Sequence, residues 1–234
     1  MLRPSLEEFE SCSRRGNLIP VAREILADLD TPLSLFRRLD DGRTSFLLES
    51  VEGGEKWARY SFLGTGARAT FTAYGRKITW VEHRGGQQQT EEATAEGDPL
   101  EFLRDKLRAL HHVTPDGVEW PRFIGGAVGM IGYDWVRFVE QLPDPNPDEV
   151  GLPDLSFVLP ETVVVYDNIK HTALIVRHVH LQPGDDASAR YAEAGRAIDE
   201  TVALLRAPLA VEPARQPVRE PMEVELSMSQ GAYQ

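Results

Sequence analysis

Apolar and polar residues alternate along the chain in patterns that predict four helices. Two of them begin with recognisable caps: residues 5–8 (SLEE) form a capping box, and Thr31-Pro32 places a hydroxyl group just before a helix-starting proline. A leucine stripe at helical spacing follows Asp98-Pro99, and residues 187–206 again carry apolar residues on one helical face. Each of these segments therefore predicts a helix that buries one side.

Strand-like segments fill much of the first half of the chain. Residues 17–29 predict an extended segment, and residues 45–85 are rich in β-forming residues. Within that region we predict four strands in two consecutive pairs, at 46–48 with 60–63 and at 68–74 with 77–83. The polar residues 87–97 predict a surface loop.

The second half contains further strand signals. Residues 123–133 (FIGGAVGMIGY) are apolar and rich in glycine, which predicts a buried strand packed closely against neighbouring backbone. Three more strands are predicted at 155–159, 162–166 and 172–179, with Asp167-Asn168 in the last turn.

The order of these elements favours an α+β fold, with mostly antiparallel sheets and flanking helices, because hairpin-like pairs dominate and no regular strand–helix–strand rhythm is present. We expect residues 1–206 to form one domain. Residues 207–221 are rich in proline and predict a linker, and residues 222–234 predict the beginning of a further domain. The sequence therefore resembles the front part of a longer protein.

Composition narrows the function classes. The formal net charge of -12 argues against nucleic acid or an anionic membrane as the main partner. No apolar run approaches the ~20 residues of a membrane span, and residues 1–11 lack the apolar core of a secretory signal. Cys12 is the only cysteine, which excludes an internal disulfide and favours a reducing, cytoplasmic location.

Several catalytic and binding motifs are absent. The glycine run at 125–132 fits neither common nucleotide-binding pattern. His178 and His180 share a strand face and can chelate a metal, but no third ligand lies nearby in the sequence. No nucleophile and base come together in a known motif. We therefore expect neither a catalytic site nor a metal site in this segment.

The stretch at 45–64, SFLLESVEGGEKWARYSFLG, carries polar groups between two strands. One interpretation is a solvated hairpin. The other is a pocket for an amino acid, in which Glu49 accepts from an ammonium group, Ser50 donates or accepts, and Arg59 meets a carboxylate. Tyr60 or Phe62 would then enclose an aromatic group. The pattern alone leaves both interpretations open.

The same stretch resembles the N-terminal region of anthranilate synthase component I, a member of the chorismate-utilising enzymes. Three other segments resemble that family in the same order, at 16–39, 125–137 and 153–171, and the final LSMSQGAYQ resembles the beginning of its chorismate-converting domain. Met130 is a departure, because relatives often carry an aromatic residue there. The resemblance extends over nearly the whole chain.

The resemblance implies an activity outside this segment. The family's catalytic domain binds chorismate and Mg²⁺, and it forms anthranilate and pyruvate with ammonia from a glutamine amidotransferase subunit. Tryptophan inhibits the family at a site that includes its Leu-Leu-Glu-Ser element, which matches residues 47–50 here. The resemblance thus implies a tryptophan-binding site at Leu48, Glu49, Ser50, Lys56, Arg59, Tyr60 and Ser61.

Two alternatives remain. Aminodeoxychorismate synthase component I shares the architecture, although the run from 46 to 64 favours the anthranilate enzyme. A stand-alone regulatory domain that binds an amino acid belongs to another functional class. The proline-rich run and the segment after it argue against that class.

Overall fold

The structure is a computed structural model. It describes residues 1–40, 42, 44–49, 59–143 and 148–209. These residues form antiparallel strands β1 Leu18–Leu26, β2 Ser45–Leu48, β3 Tyr60–Tyr74, β4 Lys77–Arg84, β5 Gln87–Thr94, β6 Val128–Ile131, β7 Leu155–Asp167 and β8 Thr172–His180. The helices are α1 Leu6–Ser13, α2 Pro32–Leu39, α3 Leu100–Arg108 and α4 Ala187–Arg206, with a 3₁₀ helix at Tyr133–Phe138.

The two longest strands, β3 and β7, pair along most of their length and form the centre of the sheet. Their pairing extends from Tyr60 opposite Asp167 to Ala73 opposite Leu155. Each strand has two successive neighbours on its other side. β3 pairs first with β2 and then with β4, whereas β7 pairs first with β6 and then with β8. The sheet therefore branches, and it has two halves that share β3 and β7.

Each half of the sheet has its own hydrophobic core. Helices α1, α2 and α4 cover the half that contains β1 and β8, where Phe9, Leu35 and Ile198 are fully buried. Helix α3 covers the other half, where Leu103 packs in one cluster with Phe71. Burying a large apolar side chain contributes about 1.5–3 kcal/mol, so these contacts hold the helices on the sheet.

The predicted helices and their caps are confirmed. The Ser5 hydroxyl accepts a hydrogen bond from the amide of Glu8, and the Ser5 amide donates to the Glu8 carboxylate at 2.7 Å. Thr31 caps α2 in the same way, through the amide of Ser34. An antiparallel sheet with flanking helices is compatible with the predicted α+β class. Residues 210–234, which include most of the predicted linker and all of the predicted further domain, lie outside the described residues.

The predicted loop at 87–97 is wrong for most of its length, because residues 87–94 form strand β5, which pairs with β4. Nearly all of its residues are exposed, so the strand buries no apolar face and lacks the alternation that predicts strands. Its backbone hydrogen bonds to β4 define it instead.

The strands predicted separately at 60–63 and 68–74 are one strand, β3, with an irregularity between Ala67 and Ala69. The strands predicted at 155–159 and 162–166 are likewise one strand, β7. Pro160 fits inside β7 because it lies between the residues that pair with β6 and those that pair with β8. A proline, which has no amide hydrogen to donate, is tolerated at such an unpaired edge.

The predicted buried strand at 123–133 is only partly present. Residues 128–131 form β6, and Met130 and Ile131 are exposed. The expected close approach of backbone does occur at Gly129. A Cβ atom added there would lie 1.9 Å from the carbonyl oxygen of Ser156 and 2.6 Å from the Cα of Phe157.

Replacing Gly129 with alanine should therefore destabilise the fold by about 1–3 kcal/mol, because rigid backbone has to move. Gly97→Ala is the matched control, since an added Cβ there meets nothing within 4 Å, and its effect should stay within about 1 kcal/mol. Urea unfolding followed by circular dichroism measures both variants. Equal stabilities of the two variants would contradict the close packing of β6 on β7.

Candidate functional site

Those residues of the predicted amino-acid site that the structure describes lie where β2 ends beside the beginning of β3. Leu48 is opposite Phe62 in the pairing of these strands, and Leu48 and Glu49 are both exposed. Ser50 and Lys56 lie outside the described residues. We call the group formed by Leu48, Glu49, Tyr60 and Phe62 the β2–β3 edge.

An aromatic cluster forms one side of this edge. Tyr60 and Phe62 are two residues apart on a strand and therefore share a face. Their ring centroids are 6.3 Å apart, and Phe62 meets Phe123 edge-to-face at 5.3 Å. The three rings are only partly buried, so this apolar surface remains accessible to a planar group.

Arg59 is held by a partner from within the chain. Its Nε and Nη2 atoms donate to Oδ2 of Asp167 at 3.0 and 2.8 Å. The same guanidinium lies over the ring of Tyr60, with Cζ 4.8 Å from the centroid. Arg59 thus links the end of β7 to the aromatic cluster.

Asp167 is nearly buried and remains ionised. Burial raises its pKa, but the hydrogen bonds from Arg59 and from the amides of Lys170 and Ile169 outweigh that effect and hold the pKa below its usual range. The hydrogen bond to Asp167 in turn raises the pKa of Arg59. The pair is a fixed electrostatic contact at this end of the sheet.

Ser61 lies on the other side of the strand and is fully buried. The amide group of Asn168 donates to the Ser61 hydroxyl at 3.2 Å and to the carbonyl of Arg59 at 3.1 Å. Ser61 therefore joins the turn after β7 to β3. The structure brings Leu48, Glu49, Arg59 and Tyr60 to one edge of the sheet and places the Ser61 side chain beneath it.

Sequence reasoning missed three contributors to this region. Asp167 and Asn168 were predicted only as turn residues; Asn168 does lie in the turn, whereas Asp167 is the last residue of β7. Phe123 was predicted only as part of a strand. The signal that could have singled out Asp167 is an ionisable residue at the end of a strongly apolar strand, where a buried partner is expected.

The two histidines considered as metal ligands lie elsewhere, on β8. Surrounding protein lowers the pKa of His178 to about 3, so this ring is neutral at physiological pH. Among the described residues, no group of three or more His, Cys, Asp or Glu side chains is arranged to hold a metal ion. Within the same part of the chain, none of the helices has both the length and the apolar character needed to cross a membrane.

Comparison with known proteins gives this chain a family. The sequence model of the chorismate binding enzymes matches residues 44–234. The chain belongs to this family. The match begins just before β2 and includes strands β2 to β8, while β1 precedes it, and it confirms the resemblance noted from the sequence.

Two relatives within the chorismate binding enzymes show how much of a protein is present here. The anthranilate synthase component 1 of Acetivibrio thermocellus is 39% identical over 181 residues, which cover 77% of this chain and 35% of the relative. That of Acinetobacter calcoaceticus is 39% identical over 215 residues, which cover 89% of this chain and 41% of the relative. The chain thus spans less than half the length of these relatives.

Among solved structures, anthranilate synthase component I from Streptococcus pneumoniae TIGR4 resembles this chain with a TM-score of 0.43 and 22% identity. The similar region covers 79% of this chain and 37% of that structure. The assignment to the chorismate binding enzymes rests on the sequence match.

The Asp167–Arg59 pair should make stability depend on pH. Because folding lowers the pKa of Asp167, the pair stabilises the protein above the unfolded-state pKa of about 4, and this contribution is lost as the pH falls below that value. Asp167→Asn should therefore cost about 1.5–3 kcal/mol at pH 7 and progressively less below pH 4.

Urea unfolding of the wild-type chain and of Asp167→Asn between pH 3 and pH 7 measures the difference in their free energies of unfolding. Asp116→Asn, at an exposed turn, is the control and should have little effect at any pH. A cost of Asp167→Asn that stays constant across this range would show that the charge of Asp167 is not what matters.

Proposed function

We propose that this chain is the N-terminal, tryptophan-sensing part of an anthranilate synthase component I. The complete protein would convert chorismate and ammonia to anthranilate and pyruvate. The observation that carries this proposal is the 39% sequence identity to each of two proteins of that name along most of the chain. The chain's share of those relatives leaves ample room for a catalytic region beyond it.

In this proposal tryptophan binds at the β2–β3 edge. The partly exposed rings of Tyr60 and Phe62 offer an apolar surface to the indole, and the exposed Glu49 can accept hydrogen bonds from the ammonium group. Burying an indole of ~150–250 Å² is worth about 4–6 kcal/mol before the costs of binding. That is enough to support binding once the polar groups of the ligand are also satisfied.

The remaining predicted residues have different parts in this proposal. Ser50 follows Glu49 directly, and we propose that Ser50 and Lys56 complete the contacts with the ligand. Arg59 and Ser61 are engaged by Asp167 and Asn168, so they would hold the Tyr60 side of the site in place. Their contribution would be to shape the site, whereas Leu48 and Glu49 would meet the ligand.

We also propose the family's usual setting for the complete protein. A glutamine amidotransferase subunit would supply ammonia, the enzyme would act in the cytoplasm, and Mg²⁺ would be bound together with chorismate. The described residues contain no cluster of three or more metal-binding side chains, so they do not fit a magnesium site.

The activity has a direct test. The product of the complete gene, given chorismate, Mg²⁺ and ammonium, should form anthranilate, which is followed by its fluorescence. The 234-residue chain alone should show no turnover above a heat-treated control, because it contains no catalytic motif. Turnover by the chain alone would contradict its assignment as a regulatory part.

The same assay distinguishes an anthranilate synthase from the two alternatives, aminodeoxychorismate synthase component I and a stand-alone regulatory domain. Conversion of chorismate to an amino compound that an added lyase turns into 4-aminobenzoate would favour aminodeoxychorismate synthase. A complete gene product that binds tryptophan but never consumes chorismate would favour a stand-alone regulator.

Replacing Ser50 with phenylalanine in the complete protein should relieve inhibition by tryptophan. A coupling free energy of about 1–3 kcal/mol corresponds to roughly a 5- to 150-fold rise in the inhibitory concentration, while kcat without tryptophan should stay within about twofold. Inhibition curves for wild type and variant measure the shift. The control is Ser188→Phe, at an exposed position in the first turn of α4, and it should leave inhibition unchanged. A parallel loss of activity and inhibition in the Ser50 variant would assign Ser50 a structural role instead.

A further inference from the structure

A cavity opens where the sheet branches, beside Arg68 in the middle of β3. Within β7, residues 155–158 pair with β6 and residues 162–167 pair with β8. β8 continues beyond this point and pairs with β1 as far as His180. Residues 159–161 therefore lie beside a gap between strands, and the end of α3 lies over it.

This branch-point cavity is apolar and of small-molecule size. Its volume is about 230 Å³, and its apolar walls include Leu18, Leu107, Leu110, Ile124 and Leu159. A cavity of about 150 Å³ in another protein accommodates benzene, so this one has room for one ring and a small substituent. Gly125 and Gly126 form part of the lining, and Gly125 packs so closely on His178 that an added Cβ atom would lie 2.4 Å from Cε1 of that ring.

One cation lines this apolar cavity. Arg68 lies at the irregularity of β3, and only 11% of its side chain is exposed. Arg68 forms a loose ion pair with Glu82, with 3.9 Å between Nη1 and Oε1, which is within ion-pair range but beyond hydrogen-bonding distance. The guanidinium makes no hydrogen bond with any residue that the structure describes. The Arg68 nitrogen atoms are not among the fully enclosed, unpartnered atoms of the described residues, so they keep accessible surface from which they can donate to an anion.

A second carboxylate that acts on Arg68, that of Glu161, is engaged by another cation. Its Oε2 atom lies 2.9 Å from Nη2 of Arg177. Burial lowers the pKa of Arg68, which Glu82 and Glu161 only partly oppose from a distance. Glu161 is thus neutralised by Arg177, whereas Glu82 is the counter-ion of Arg68 itself.

His178 completes the polar side of the cavity. Arg68 and His178 line both the apolar cavity and an adjoining polar cleft, so they stand where the two spaces meet. The uncharged His178 ring can donate or accept one hydrogen bond, and the ring of His112 lies 5.7 Å from it. The cavity therefore combines apolar walls, one positive charge and a neutral hydrogen-bonding group.

We propose that this cavity binds a small carboxylic acid with an apolar body of about one ring, with its carboxylate on Arg68. A guanidinium can hold a carboxylate through two parallel hydrogen bonds, and the leucine-rich walls receive the apolar body. Tyr60 and Arg68 are eight positions apart on β3, which places their Cα atoms about 25 Å apart. The apolar walls come closer, because Phe123 contacts Phe62 and directly precedes Ile124 of the cavity. The carboxylate position at Arg68 is additional to the site proposed for tryptophan.

The test uses benzoate as the probe and benzyl alcohol as a neutral probe of similar shape. Calorimetric titration of the 234-residue chain at pH 7 should show benzoate binding more tightly than benzyl alcohol. Arg68→Gln should weaken benzoate binding by about ten- to a hundredfold, the range for a lost hydrogen bond to a charged group, and should change benzyl alcohol binding little. Arg84→Gln, in the same cleft but paired with Asp185, is the control and should leave benzoate affinity unchanged.

A second variant keeps the test valid if Arg68→Gln fails to fold. Leu107→Trp fills the cavity from α3 while leaving Arg68 in place, and it should abolish the binding of both probes. Circular dichroism verifies the fold of each variant. No benzoate binding by the folded chain, or benzoate binding that is unchanged in Leu107→Trp, would overturn the proposal.

Discussion

The antiparallel pairing of β3 with β7 is the interaction on which the rest of the structure depends. Both strands are long enough to take two successive neighbours, so the sheet divides without losing its continuous centre. One core forms under α1, α2 and α4, and the other forms under α3. Weakening this pairing would therefore separate two cores that share only these two strands.

The ends and the middle of this pairing place the two candidate sites. At one end, the Arg59–Asp167 contact and the Asn168 hydrogen bonds secure the first residues of β3, and the aromatic face of Tyr60 and Phe62 follows from that position. Near the middle, the strands that flank β7 change, and the branch-point cavity opens beside Arg68. Both sites are consequences of where strands gain and lose partners.

The sequence predicts well what depends on nearby residues. The capping serine of α1, the leucine stripe of α3 and the face shared by Tyr60 and Phe62 follow from spacing alone. Strand β5 was missed because its signal lies in pairing with β4 rather than in apolar alternation. The partner of Arg59 lies about a hundred positions away and the loose ion pair of Arg68 is with Glu82 on another strand, and no local pattern reveals either.

The composition of β5 affects how copies of this chain meet one another. An edge strand exposes unpaired backbone groups that can recruit a strand from a second molecule and begin aggregation. Residues 87–94 carry glutamine, threonine and glutamate at nearly every position, and Glu91 is further fixed by Lys106. Hydration and negative charge along this edge disfavour such strand addition, so β5 protects the sheet at a place where it contributes little to either core.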